Sequence, residues 1–98
     1  MSEKLEIDGF HFKTMKVLFE QLWLASDNCK LPIEHIWFVI YEVSKITNSH
    51  KSEIMKYLNF LIDRNYVKHL SDDPLTYVIS ETGKEIKSDI EILNLLNN

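Results

Sequence analysis

Cysteine occurs once in this 98-residue chain, at Cys29, and glycine and proline occur twice each. A single cysteine excludes a disulfide framework or a cysteine-built zinc site within the chain, and it points to a reducing cytosol. So few glycines and prolines leave little material for tight turns. That disfavours a sandwich or barrel of many short strands and favours long regular elements. The longest apolar run, Ile36 to Tyr41, is far short of the roughly 20 residues a membrane span takes. The mixed-charge start, Met1 to Asp8, lacks the apolar stretch of a signal peptide. The expectation is a soluble cytoplasmic protein that makes no membrane contact.

Catalytic motifs are missing as well. There is no glycine-rich phosphate loop, no H-E-x-x-H and no G-x-S-x-G. His11, His35, His50 and His69 fall in four separate predicted elements, and the nearest acidic neighbour, Glu34 beside His35, is commonplace. Asp72-Asp73 lies in turn sequence, where carboxylates usually cap local backbone. Nothing here calls for an enzyme, a metal or a cofactor.

What remains is a sequence built for one compact domain. It is 45% hydrophobic and 27% charged, with two Trp, four Tyr and five Phe to fill a small core. The net charge is −4, which by itself argues against a phosphate-binding protein. Split along the chain, the charge is uneven. Residues 44–69 carry Lys45, Lys51, Lys56, Arg64 and Lys68 against Glu53 and Asp63, a net +3. Residues 70–98 carry Lys84 and Lys87 against six acids, a net −4. Phosphate responds to the local charge, because fields are screened beyond about 10 Å at 0.1 M salt.

Periodicity divides the chain into four helices and a hairpin. Residues 1–9 read as a loose arm, followed by one domain over 10–98. Phe12, Met15, Leu18, Phe19, Leu22 and Trp23 predict a helix over about 10–25, ended by Ser26-Asp27-Asn28. Pro32 suits the first position of a second helix, about 32–46. Its buried stripe is Ile33, Ile36, Trp37, Ile40 and Val43, and Phe38, Val39 and Tyr41 spread apolar character around it. Trp37 and Phe38 read as core, or as a subunit interface. Ser49 or Asn48 is the expected cap of a third helix, about 50–65, with Ile54, Tyr57 or Leu58, Leu61 and Ile62 inside. Asn65 suits the left-handed residue that follows it. Tyr66–Leu70 and Thr76–Ser80, joined by Ser71–Leu75, predict a β-hairpin. A last helix over about 81–96 carries Ile86, Ile90, Leu93 and Leu96 along one side. The fold class is α+β, mostly helical.

This order, two helices joined by a short polar turn and then a two-stranded hairpin, resembles a winged helix-turn-helix domain. The closest likeness is to small MarR-like and PadR-like prokaryotic or archaeal-virus regulators. It covers roughly residues 12–86. It rests on SHKSEIMKYLNFLIDRNYVKHL at 49–70, similar to a recognition helix running into an aromatic-Val strand. It rests also on TYVISETGKEI at 76–86, similar to a second wing strand and the entry to a last helix. The wing tip departs from the pattern: Asp72-Asp73-Pro74 is acidic where minor-groove readers carry Arg or Lys.

The resemblance implies a transcriptional regulator of double-stranded DNA, with helix 50–65 in the major groove and its N-terminal residues at base edges. The contacting set would be Ser49, His50, Lys51, Ser52, Met55, Lys56 and Asn59, with Lys45, Lys68 and His69 on the backbone. Two-fold half-sites favour a homodimer, expected through the first or last helix, with Ile86, Ile90, Leu93 and Leu96 as its interface. The alternative is a winged-helix module that binds a protein partner through its acidic wing and C-terminal surface.

Overall fold

A computed structural model describes residues 6–7 and 10–97 of the chain. Strands β1 (Glu6–Ile7) and β2 (Phe10–His11) pair antiparallel, so part of the expected loose arm is a small ladder. The rest of that arm lies outside the described residues. Helix α1 (Phe12–Ala25) follows directly. It buries Met15, Leu18, Phe19 and Leu22, with Phe12 and Trp23 half-buried, as the spacing predicts. Asp27, Asn28 and Cys29 then take consecutive positive φ angles, a left-handed turn that stops the helix.

The second helix starts later than predicted. Ile33 forms an antiparallel bridge to Tyr77, with Ile33 N–H donating to the Tyr77 carbonyl at 2.7 Å and Tyr77 N–H donating back at 3.0 Å. A β-branched residue with both backbone groups engaged sideways cannot also be in a helix, so Pro32 precedes a bridge strand rather than opening a helix. Helix α2 runs Ile36–Thr47. Its buried face is Ile36, Val39, Ile40 and Val43, and not Trp37 or Phe38, which are 60% and 63% exposed. The reason is angular. Positions 36, 39, 40 and 43 fill the inward arc, and 37 and 38 fall on its far side.

Three residues separate α2 from α3 (Lys51–Asp63). Asn48 is left-handed, and the cap of α3 is His50, not Ser49 or Asn48. The His50 ring accepts the Ser52 backbone N–H at 3.1 Å. Ile54, Tyr57, Leu58 and Leu61 are buried, while Ile62 is only half-buried. Asn65 has φ 66° and lets Tyr66 N–H reach back to the Leu61 carbonyl at 2.9 Å. Strands β3 (Val67–Asp72) and β4 (Leu75–Ile79) pair antiparallel, one residue longer at β3 and tighter at the turn than the sequence pattern indicates. The register slips between His69 and Ser71, and Leu70 stands exposed at this irregularity.

The predicted helix over 81–96 is broken in two. A short 3₁₀ turn covers Gly83–Glu85, residue 86 is extended, and α4 begins at Asp89 and runs to Asn97. Gly83 lies buried beneath Tyr66. Buried Ser80 anchors the turn. Its hydroxyl accepts the Gly83 N–H at 3.0 Å and reaches the Asn65 and Tyr66 carbonyls. Helix α4 packs its Ile92, Leu95 and Leu96 inward, toward α1. The stripe Ile86, Ile90, Leu93 and Leu96 is therefore not one outer face. Leu96 is 2% exposed within its own chain and Ile90 is 69% exposed. The break between Glu85 and Asp89 resets the helical phase, so the two halves of the stripe lose register. The whole is a mostly helical α+β fold.

A capping pair restarts the chain at α4. Ser88 Oγ accepts the Glu91 N–H at 3.4 Å, and Glu91 Oε1 accepts the Lys87 N–H at 2.6 Å and the Ser88 hydroxyl at 3.3 Å. The Lys87 N–H, helped by Ser88, holds the Glu91 carboxyl below its ordinary value of 4.5. A depressed folded pKa means stability present above about 4.5 and lost as pH falls through the lower folded value. The protection of the amides at residues 89–97, read as exchange relative to the intrinsic rate at each pH, should therefore fall on acidification below that range. Glu91→Gln, which cannot titrate, should flatten the dependence; equal acid sensitivity in both proteins would exclude this carboxyl as the cause.

Candidate nucleic-acid interface

Helix α3 has one face in the core and one open. Buried Ile54, Tyr57, Leu58 and Leu61 define the inward arc. On the far side Ser52, Lys56, Asn59 and Asp63 are all exposed. Their spacing of four, three and four residues aligns them in a row along the helix. The row offers a hydroxyl, an ammonium and an amide in its first two turns, and ends on a carboxylate. Those first three groups match the chemistry of base edges and phosphates.

Lys51 lies off this row and joins a second group. Lys45 Nζ is 5.3 Å and Lys51 Nζ 5.9 Å from the Tyr41 ring centroid, so one tyrosine on α2 carries two cations from either side of the turn. Glu42 lies 3.7 Å from Lys45 and offsets part of its charge. Tyr41 is a member of this group that sequence reasoning did not select. The Tyr41–Lys45 spacing of four was visible, but Lys51 reaches the ring only through the tertiary turn.

Other predicted contacts are placed differently. Ser49 is half-buried and works inside the turn. Its hydroxyl accepts from Thr47 Oγ1 at 2.9 Å, and its carbonyl accepts from Ser44 Oγ at 2.6 Å. His50 is occupied as the cap, and its Nδ1 also lies 2.8 Å from Ser52 Oγ. Met55 is half-buried and packs against the core. These three shape the start of α3 rather than project from it. Lys68 is exposed on β3. His69 is turned to its own hairpin, with Nε2 at 2.9 Å from Asp72 Oδ1 and its ring 5.4 Å from that of Tyr77. The acidic hairpin tip thus has a local partner.

Two further features border the open face. A groove of about 540 Å³ lies between the start of α1 and the α2–α3 turn, lined by His11, Lys13, Asn48, His50 and Glu53 among others. Arg64, just past α3, stacks 4.5 Å over the Phe60 ring. Neither was predicted. The groove depends on what the turn brings beside α1, whereas the Phe60–Arg64 spacing of four was visible in the sequence. Cys29 is half-buried, and burial pushes its thiol up, so it stays protonated and poorly nucleophilic at neutral pH. Among the described residues no helix is long and apolar enough to cross a membrane. Comparison with family models, curated proteins and solved structures finds no match to this chain.

Proposed function

We propose that this chain is a winged helix-turn-helix domain that binds double-stranded DNA as a transcriptional regulator, acting in two copies with α3 in the major groove. The observation that carries the reading is the open Ser52–Lys56–Asn59 row on a helix whose opposite side is entirely core. A groove-reading helix needs this division, since its inner face must hold it rigid while its outer face meets base edges. The three-residue turn from α2 supports the reading. So does the bridge from Ile33 to Tyr77, which ties a third extended segment onto the hairpin. Lys51 and Lys68 serve as phosphate contacts that set position.

The wing takes a lesser part. Asp72 and Asp73 are exposed at its tip and would be repelled by phosphate, so minor-groove reading is left out of the proposal. Those two acids and the net −4 of residues 70–98 favour the second reading, a module that meets a basic protein partner through its wing and C-terminal surface.

A mobility shift on AT-rich duplexes at about 50 and 200 mM salt tests the proposal. Affinity should fall steeply with salt, because each neutralised phosphate releases about 0.9 counterion. Lys51→Ala and Lys56→Ala should each weaken binding and lower the salt slope by about one. No binding at the lower salt, or unchanged affinity in both variants with the fold intact, would overturn the DNA reading in favour of the protein-binding one.

A further inference from the structure

The outer face of α2 is apolar and open. Trp37 is 60%, Phe38 63% and Tyr41 47% exposed, and Leu24, 71% exposed, stands across a groove of about 360 Å³ that Phe38 also lines. A buried aromatic covers roughly 150–250 Å², so each of these three leaves about 100 Å² or more uncovered. Monomers seldom leave such a patch without a use.

We infer that this face pairs with its own copy, α2 against α2, antiparallel about a two-fold axis that passes between Val39 and Ile40. That operation sets the acidic end of the face against its basic end. Phe38, Tyr41 and Lys45 follow one another at three and four residues within α2, the spacing of a seam between two packed helices, and Glu34 is exposed two residues before the helix begins. Under the two-fold, Phe38 meets Tyr41 of the partner subunit, and Glu34 meets Lys45 of the partner subunit. Each contact occurs twice. The centre is aromatic and both ends are ion pairs. A parallel pairing would set Lys45 against its own copy and Glu34 against its own copy, so charge selects the antiparallel form.

The helix dipoles agree. Glu34 lies just before the N-terminus of α2 and Lys45 in its last turn, each at the end that favours its charge. Antiparallel packing brings these oppositely charged ends together. Lys45 is 57% exposed and loosely held by Glu42 at 3.7 Å, so it is available to a second carboxylate. With Leu24 added, the face offers on the order of 500 Å² per copy, near the lower limit of specific interfaces, which is about 600 Å². The pair is therefore a reversible dimer. The C-terminal ends of the two α2 helices, and the α3 helices that follow them, point to opposite ends of the pair. The inference gives a face to the two copies proposed above, but it rests on this apolar face and is tested without DNA, so the two readings fail separately.

Sedimentation of the full chain over the micromolar to sub-millimolar range should show a rise from one-chain to two-chain mass. Phe38→Glu changes an exposed side chain and should leave the circular dichroism unchanged while raising the dimer dissociation constant about 30-fold or more. Glu34→Lys and Lys45→Glu should each weaken pairing, and the two combined should restore it to within a few-fold of the parent, because both ion pairs re-form with reversed sign. One-chain mass throughout, or a combined variant as weak as the single ones, would overturn the inference. So would a dimer that survives Phe38→Glu but is lost with Leu93→Glu, which would place the contact on α4.

Discussion

Replacing Gly83 with alanine is expected to destabilise the domain by about 3 kcal/mol, a large share of the roughly 5–15 kcal/mol that holds a domain of this size. A methyl carbon at that position would run into the Tyr66 carbonyl oxygen and come within 2.8 Å of Ile79 Cγ2. The carbonyl cannot step aside cheaply. It accepts the Ser80 N–H at 3.0 Å and the Ser80 hydroxyl at 3.1 Å, and Ser80 Oγ in turn accepts the Gly83 N–H. The added carbon therefore strains the contact and also pulls at a buried hydrogen-bond hub, where unsatisfied groups cost about 1–3 kcal/mol each. The midpoint of thermal unfolding should drop by more than about 10 °C, at about 4–8 °C per kcal/mol. Thr82→Ala, exposed in the same turn, should change stability by less than about 0.5 kcal/mol. A Gly83→Ala protein as stable as the parent would show that the turn shifts freely and that the close approach to Tyr66 is not required.

Leu58→Ala and Asn59→Ala should have opposite signatures although the residues are adjacent. Leu58 is fully buried on the inner face of α3, and its truncation leaves a cavity in close-packed surroundings. The expected loss is about 2–5 kcal/mol, read from denaturant unfolding. DNA affinity per folded molecule should not change, because Leu58 has no access to the outer face. Asn59 is exposed, so its truncation should leave stability within about 0.5 kcal/mol. If Asn59 pairs with an adenine edge, its loss should remove about 1–3 kcal/mol of discrimination between one preferred sequence and its variants. A Leu58→Ala protein of parental stability would contradict the packing of α3. An Asn59→Ala protein with unaltered sequence preference would show that Asn59 reads no base.

Sequence by itself determined the parts that depend on local chemistry and on strong periodicity. Helices α1 and α3 and the β3–β4 hairpin fall where apolar spacing and turn residues put them, because a 3.6-residue or two-residue repeat of large side chains has few other ways to be buried. The stop at Asn65 was legible for the same kind of reason, since a left-handed residue is needed after the helix and Asn tolerates it. The concentration of lysine between residues 44 and 69 was visible as arithmetic on the chain.

Tertiary structure decided the rest. An all-round apolar helix does not declare which arc faces inward, so Trp37 and Phe38 read as core, with a subunit interface as the alternative, and both stand exposed. Only the packing of α1, α3 and β4 against α2 put them outside. Pro32 looked like a helix start until Tyr77, 45 positions later, engaged Ile33 on both backbone groups. The last helix read as continuous because Glu, Lys and Ile suit a helix at any phase. A 3₁₀ turn over Gly83–Glu85 and an extended residue 86 interrupt it, so Leu96 turns inward and Ile90 stays outside. His50 and Ser49 were polar residues beside a helix start, equally suited to solvent, ligand or cap. Which groups each would meet was settled by a three-residue turn whose geometry depends on both helices it joins. Local preferences are weak energies of a few tenths to one kcal/mol, whereas burial of one large side chain is worth about 1.5–3 kcal/mol, so where the two compete packing wins.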